Sequence, residues 1–210
     1  MLNTGGPNIN LNRYRIGFDL DNTLIDYAPA FPEILEQHGF DPQLSRDEVR
    51  QLLQSTDGND FVWQEIQSKI YTIGLKKAQL ARGALECISF LQESKCEVFV
   101  VSHKTKTTQP RFGGVELHSL VHNWLENSEI PINFEINQNL YFRDSLEAKV
   151  QQIQTLKLDL FVDDLHEVVN HSNFPRKTLG WHYTPGKLNQ DKNLLAGDFF
   201  ELVRYLNNES

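Results

Sequence analysis

The 210-residue sequence has little of what marks secreted, membrane-bound or nucleic-acid-binding proteins. Its two cysteines, Cys87 and Cys96, are too few for a disulfide framework, which favours free thiols in a reducing compartment. No apolar run is long enough to cross a bilayer. The opening stretch MLNTGGPNINLNR lacks the charged-then-apolar pattern of a secretory signal. We therefore expect a cytoplasmic protein with no membrane partner, in which the first dozen residues are loosely held.

Basic residues are also scarce relative to acidic ones. The chain has 20 Lys and Arg against 28 Asp and Glu, a formal net charge of −8. A net negative charge does not favour nucleic acid as a partner, so an anionic substrate would need a local positive site, which a bound metal ion can supply. The hydrophobic fraction of 40% is sufficient for a sizeable core, and the length fits one ordinary domain or one domain with a small insert.

Short apolar runs predict buried strands. The runs at Arg15–Leu20, Glu97–Ser102 and Leu158–Asp163 are nearly continuous, which is typical of strands covered on both faces of a parallel sheet. Lys177–Tyr183 is a fourth strand, and Pro131–Phe142 is a weaker candidate for an edge strand or hairpin. Helical patterns alternate with these runs at Leu75–Ser94, at Gly114–Ser128, at Asp144–Leu156 with Asp144 as N-cap, and in DFFELVRYLNN. This alternation predicts an α/β, doubly wound, Rossmann-like core with a parallel sheet.

The segment from about Asp26 to about Ile73 interrupts that alternation. It contains three patterns of short helices, APAFPEILEQHGF, SRDEVRQLLQ and DFVWQEIQSKIYTI, separated by turn-forming residues. We expect a core domain formed by residues 1–25 and 75–210 and a small helical cap formed by residues 26–74.

Polar side chains stand at the predicted carboxyl ends of the strands, where open parallel sheets bind ligands. They are Asp19 and Asp21 after the first strand, Ser102 at the end of the second, Asp163 and Asp164 at the end of the third, and Lys149 in the helix before it. Like charges so close together need a positive partner, and carboxylates from two strand ends can hold a hard divalent cation through oxygen. The sequence therefore predicts a metal site beside a lysine, suited to a phosphate.

These residues, in this order, resemble the motifs of the haloacid dehalogenase (HAD) superfamily. The matching segments are DLDNT (Asp19 to Thr23), VVS ending at Ser102, Lys149, and FVDD ending at Asp164. The insert after the first motif looks like the cap of that superfamily. The resemblance implies a Mg²⁺-dependent phosphomonoester hydrolase that acts on a small phosphorylated metabolite, a sugar phosphate or a nucleotide, through an aspartyl-phosphate.

The resemblance also implies roles for the residues. Asp19 would attack phosphorus, and Asp21 would serve as general acid and base. The metal ligands would be Asp19, Asp21 through its backbone carbonyl, Asp163 and, more peripherally, Asp164. The phosphate- or substrate-binding residues would be Thr23, which also bonds the loop backbone, Ser102, His103 and Lys149. An acid at position 21 favours ester hydrolysis over dehalogenation, because a halide leaves without a proton.

Several alternatives remain open at this point. Lys157 is a second candidate for the phosphate-site lysine. A phosphotransferase or mutase of the same superfamily would use the same residues, and a non-catalytic phosphate-binding regulatory module would keep them without turnover. The cations of the loop after Ser102, including Lys104 and Arg111, are individually better explained as solvated charges.

Overall fold

A computed structural model of the chain describes residues 11, 13–54, 60–186 and 195–207. The prediction for the first dozen residues falls almost wholly outside these ranges. The strands are β1 (Arg15–Phe18), β2 (Ile25–Asp26), β3 (Gln79–Leu80), β4 (Glu97–His103), β5 (Leu140–Arg143), β6 (Leu160–Asp163), β7 (Leu179–Tyr183) and β8 (Ala196–Gly197). Six of them form one sheet in the order β5–β4–β1–β6–β7–β8, and every neighbouring pair is parallel. The predicted parallel α/β fold is confirmed.

Helices connect the strands and cover the sheet. They are α1 (Phe31–Gln37), α2 (Arg46–Gln54), α3 (Asp60–Tyr71), α4 (Ala84–Glu93), α5 (Leu117–Glu126), α6 (Leu146–Thr155), α7 (His166–Val169) and α8 (Phe199–Leu206). Short 3₁₀ turns lie at Ile73–Lys76 and Pro110–Phe112. Within the described residues, no helix is both long and apolar enough to span a membrane.

Two local predictions were wrong, and a third was resolved in favour of one of its alternatives. Leu75–Ser94 is not one helix, because Gly83 has φ +83° and α4 begins only after it. Of the two alternatives for Pro131–Phe142, the edge strand is confirmed: its last residues enter β5, which lies at the edge of the sheet parallel to β4. The N-cap of α6 is Ser145, whose Oγ accepts from the Ala148 N–H, and not Asp144.

The hydrophobic core lies on both faces of the sheet. On one face Ile16 and Phe18 of β1 are fully buried in a cluster shared with α4 and α8. On the other face Phe161 and Leu158 cover Gly17, where a Cβ would lie 2.4 Å from Leu158 Cδ1. β1 is therefore buried on both sides, which accounts for its nearly continuous apolar sequence.

The three predicted insert helices, α1 to α3, lie between β2 and β3. These two short strands pair antiparallel with each other, Ile25 with Leu80 and Asp26 with Gln79. Buried residues of the insert such as Ile34 and Ile66 belong to the same hydrophobic cluster as β1. The insert is thus packed onto the carboxyl-end side of the first strand.

Candidate active site

A buried group of charged and polar residues, here called the floor cluster, lies at the carboxyl ends of the central strands. It comprises Asp19, Ser102, Lys149 and Asp163. Asp19 follows β1, and its N–H donates to the Val162 carbonyl at 2.8 Å. Lys149 Nζ donates to Asp19 Oδ1 at 2.5 Å and lies 2.6 Å from Asp163 Oδ2. The floor cluster therefore places one ammonium between carboxylates from two neighbouring strands.

The loop after Asp19 is held by a tight turn. Asn22 adopts φ +62°, a conformation that asparagine tolerates, and the N–H groups of Leu24 and Ile25 both donate to the Leu20 carbonyl. Thr23 is fully buried, and its Oγ1 accepts from the Asp164 N–H at 3.1 Å. This hydrogen bond joins the two acidic loops, so that their carboxylates have a fixed relative position.

Two acidic groups of the site, Asp19 and Asp164, have raised pKa values. Burial raises the pKa of Asp19 well above its ordinary range, and the neighbouring carboxylates add to this, while Lys149 opposes it. Burial and Asp163 together raise the pKa of Asp164 to about 7. Burial alone would lower the pKa of Lys149, but Asp163 and Asp19 outweigh it, so the net shift is upward. The concentrated negative charge favours a bound cation.

The residues present fit a magnesium ion. One carboxylate oxygen from each of Asp19, Asp163 and Asp164 lies within 4.8 Å of the others. Asp163 Oδ2 is buried and has no directed hydrogen bond among the described residues. All these donors are hard oxygens, which Mg²⁺ prefers. The Asp21 side chain is not in this group. The sequence-based prediction was that Asp21 binds the metal through its backbone carbonyl and not through its side chain.

A second group, here called the junction cluster, comprises Asp21, Tyr27, Tyr71 and Lys104. Tyr27 Oη donates to Asp21 Oδ1 at 2.7 Å, and Lys104 Nζ lies 2.7 Å from Asp21 Oδ2. The Lys104 ammonium also lies 3.9 Å from the centre of the Tyr71 ring, a cation–π contact. Tyr71 is at the end of α3, so the junction cluster joins the insert to the core.

Both clusters open into one cavity of about 410 Å³. Six predicted site residues line it: Asp19, Asp21, Ser102, His103, Lys149 and Asp164. Other lining residues include Lys104, Arg50, Asn22, Gln67 and Tyr71. Ser102 Oγ is buried and, among the described residues, has no hydrogen-bond partner. The cavity thus holds a hydroxyl and two ammonium groups beside the Asp19 carboxylate.

Three candidate residues are less central than the others. Thr23 is not among the described residues that line this cavity, so the geometry favours its loop-bonding role over the predicted contact with phosphate. His103 does line the cavity, but it is exposed, and its Nε2 lies 3.2 Å from the Asp144 carbonyl oxygen. Lys157 is exposed beyond the end of α6, beside Asp159 and away from Asp19, so Lys149 is the lysine that reaches the carboxylates.

Sequence reasoning missed the burial of Lys104, which is 4% exposed, and its pairing with Asp21. A signal was available: Lys104 comes two residues after Ser102, and alternate residues of an extended segment share a face. The Lys104 N–H donates to the Arg143 carbonyl, which continues the β4–β5 ladder beyond the strand. The two tyrosines had no comparable signal, because their contact depends on how the insert folds.

Comparison with known proteins gives no sequence match: no family model and no curated protein matches the chain. Solved structures do match. A haloacid dehalogenase-like hydrolase from Streptococcus pneumoniae has a TM-score of 0.59 at 18% identity, over 92% of this chain and 98% of that one. The chain has the haloacid dehalogenase fold. In this chain, the motifs predicted from the sequence lie at the carboxyl ends of the central strands of that fold.

Two other solved structures with this fold are described with a bound ligand or an assigned activity of their own. An HAD-family hydrolase from Deinococcus radiodurans, described with bound phosphate and sodium, has a TM-score of 0.55 at 13% identity, over 94% of this chain and 98% of that one. A Thermotoga maritima protein assigned as a β-phosphoglucomutase has a TM-score of 0.53 at 14% identity, over 92% and 97%. At such identities the likeness establishes the fold and leaves the reaction to the site itself.

Proposed function

We propose that this protein is a Mg²⁺-dependent phosphomonoester hydrolase that acts on a small phosphorylated metabolite. The observation that carries the proposal is the floor cluster: Asp19 is buried at the end of the central strand, 2.5 Å from Lys149. Ser102 brings a buried hydroxyl without a hydrogen-bond partner in the described chain to the same cavity. A nucleophilic carboxylate beside an ammonium and a hydroxyl is suited to a phosphoryl group.

The proposed reaction has two steps. An Asp19 carboxylate oxygen attacks phosphorus, the ester P–O bond breaks, and the leaving oxygen takes a proton from Asp21, which gives an aspartyl-phosphate and an alcohol. Asp21 then takes a proton from water, whose oxygen attacks phosphorus and releases phosphate from Asp19. Lys149 and Ser102 hold phosphoryl oxygens in both steps.

Asp19, Asp163, Asp164 and the backbone carbonyl of Asp21 would hold Mg²⁺. When bound, the ion would neutralise phosphoryl charge. Support comes from the three carboxylates, which each place one oxygen within 4.8 Å of the others. Asp163 Oδ2 adds to this support, because it is buried and no described residue donates a directed hydrogen bond to it.

The proposal also assigns functions to two parts of the chain and a cellular compartment to the protein. Residues 1–25 and 75–210 would form the catalytic core, and residues 26–74 a cap that selects the substrate, a sugar phosphate or a nucleotide. The paired strands β2 and β3, close to these limits, support this division. The free thiols of Cys87 and Cys96 support a cytoplasmic location.

The test is turnover of p-nitrophenyl phosphate and of a phosphometabolite panel by the purified protein with Mg²⁺. We expect release of phosphate, loss of activity with EDTA and recovery with added Mg²⁺. Asp19→Asn should lower kcat by about 10³-fold or more, because the amide cannot attack phosphorus. Glu86→Gln, a change on α4 away from the cavity, is the matched control and should retain activity. A wild-type protein that is inert on the whole panel would refute the hydrolase.

A phosphotransferase or mutase is the second candidate, favoured by the structural likeness to the Thermotoga maritima protein assigned as a β-phosphoglucomutase. It would pass the phosphoryl group of Asp19 to a substrate hydroxyl. Reaction in ¹⁸O-labelled water separates the two, because only hydrolysis puts solvent oxygen into released phosphate. Phosphate binding without turnover or transfer would instead indicate a non-catalytic phosphate-binding module.

A further inference from the structure

Lys104 has an ammonium group that the floor chemistry does not use. Its side chain is 2% exposed and faces the cavity that contains Asp19. The ammonium is 2.7 Å from Asp21 Oδ2, but this is an ion pair without a directed hydrogen bond, and no described residue accepts one of its N–H groups. A buried ammonium with three donors and no directed acceptor retains hydrogen-bonding capacity for a ligand.

The position of Lys104 defines which part of a ligand it would meet. Lys149 lies on the Asp19 side of the site, where the proposed phosphoryl group binds, and Lys104 lies on the Asp21 side. In the proposed reaction Asp21 faces the leaving oxygen. Lys104 is therefore next to the alcohol part of the ester and not next to its phosphoryl group.

The surroundings of Lys104 hold its ammonium in this position. Its backbone N–H donates to the Arg143 carbonyl at 2.8 Å, and His118 Nε2 lies 3.0 Å from its carbonyl oxygen. The Tyr71 ring covers the ammonium from the insert side at 3.9 Å. The wall of the cavity carries charges of both signs: Arg50 and His103 are further basic side chains, and Asp19, Asp21, Asp164 and Glu167 are acidic. The attraction for an anion therefore has to come from the fixed Lys104 ammonium itself, which binds a carboxylate more strongly than a neutral hydroxyl.

We propose that Lys104 is a specificity-determining residue that binds a carboxylate on the leaving group, so that the preferred substrates are phosphate esters of small hydroxy acids. This inference rests on the proposed function, because that function places the leaving group beside Asp21. The competing account is that Lys104 only positions Asp21, in which case it would affect all esters equally.

The test measures binding and does not depend on turnover. The Asp19→Asn variant with Mg²⁺ is titrated calorimetrically with 3-phosphonooxypropanoate and with propyl phosphate, which has a methyl group in place of the carboxylate. We expect the carboxylate ester to bind about 10-fold more tightly or better, the size of one charge-assisted contact. Equal affinities for the two esters, or no binding of either ester, would overturn the proposal before any Lys104 variant is made.

A second comparison assigns the preference to Lys104. In Asp19→Asn with Lys104→Met the affinity ratio should fall to about one, and with Lys104→Arg it should recover in part because the charge returns. Lys106→Met, an exposed lysine of the same loop, is the matched control and should leave the ratio unchanged. If the affinity ratio of the two esters is unchanged in Lys104→Met, the carboxylate preference does not come from Lys104 and the assignment is refuted.

These outcomes are separate from those of the proposed function. An inert wild-type protein with an intact, Lys104-dependent affinity ratio would reject the hydrolase and keep the carboxylate site. Turnover of p-nitrophenyl phosphate with no affinity ratio would keep the hydrolase and reject the site.

Discussion

The floor cluster and the junction cluster each pair one aspartate of the same Asp-x-Asp segment with one buried lysine. In the floor cluster every member comes from the core, and Lys149 contacts two carboxylates. In the junction cluster Lys104 comes from the core, but Tyr27 and Tyr71 come from the segment between β2 and β3. Two carboxylates only two residues apart thus have different surroundings, one set by the core alone and the other shared with the insert.

The hydrogen bonding of the two lysines differs as well. Lys149 makes a directed bond to Asp19, whereas Lys104 has an ion pair without one. The directed bond fixes the Asp19 carboxylate before a ligand arrives, as its proposed role as nucleophile requires. Lys104 is held in place as well, but no described residue accepts a directed hydrogen bond from its ammonium, which leaves donors for the proposed substrate carboxylate. The two proposals therefore assign chemistry to Asp19 and substrate selection to Lys104, which pairs with Asp21 two residues further along the same segment.

Among substitutions in the two clusters, we expect Lys149→Met to have the largest effect on stability and activity. Lys149→Met leaves Asp19 and Asp163 facing each other without their shared cation, so stability should fall by about 3–5 kcal/mol. We expect kcat/KM to fall by about 10³-fold as well, because a donor to the phosphoryl oxygens is lost. Thermal unfolding and steady-state kinetics measure the two effects. Lys157→Met, an exposed lysine past the end of the same helix, is the control; equal losses in both variants would contradict the pairing.

We expect a smaller effect from Tyr27→Phe, which changes a junction-cluster residue that lies between β2 and β3. Tyr27→Phe removes the 2.7 Å hydrogen bond to Asp21 Oδ1 and nothing else of that side chain. We expect a loss of about 1 kcal/mol in stability and about a 10-fold decrease in kcat, because Asp21 loses one of its two restraints. The affinity ratio of the two test esters should persist. Tyr141→Phe, whose hydroxyl bonds the Gln138 carbonyl outside the site, is the matched control and should leave kcat unchanged.

The smallest effect concerns the pH dependence of stability. Asp164 has a pKa raised from its ordinary value of 3.8 to about 7, so the metal-free folded state binds this proton more tightly than the unfolded chain does. The stability it contributes is present below pH 4 and is lost as the pH rises towards 7. In EDTA, the Tm of the wild type minus that of Asp164→Asn should fall across this range. A difference independent of pH would contradict the raised pKa.

Much of the fold was predictable because burial on both faces of the sheet leaves a continuous apolar run in the sequence. β1, β4 and β6 were found in this way, and β7 was found as a short apolar run without that continuous pattern. β1, β6 and β7 are each two residues shorter than predicted. Leu20 belongs to the loop after β1, where its carbonyl accepts from the N–H groups of Leu24 and Ile25. Asp159 lies just before β6, although its N–H donates to the Arg15 carbonyl and its own carbonyl accepts from the Leu179 N–H. The error at Leu75–Ser94 has a clear cause: helical spacing of apolar residues continues through Gly83, but its positive φ does not permit the helix.

The site was predictable to the extent that it depends on strand ends. Asp19, Ser102 and Asp163 follow from the topology, since the carboxyl ends of parallel strands meet at one edge. Lys104 was underestimated because a charged loop residue is usually solvated, and its burial depends on Tyr71 of α3 and on the Asp21 carboxylate. Contacts between an insert and a core are not encoded in local periodicity, which is why the junction cluster required the structure.

The antiparallel pair β2–β3 has a consequence for how such a protein can diversify. The chain leaves the core at Asp26 and returns at Gln79, and these two residues face each other across the pair. Because exit and return points are adjacent, a segment of different length or sequence could be exchanged there without altering the six-stranded sheet or the position of Asp19. If the proposed function holds, new substrate preferences could arise by replacing this one segment, while the residues proposed for phosphoryl transfer keep their places.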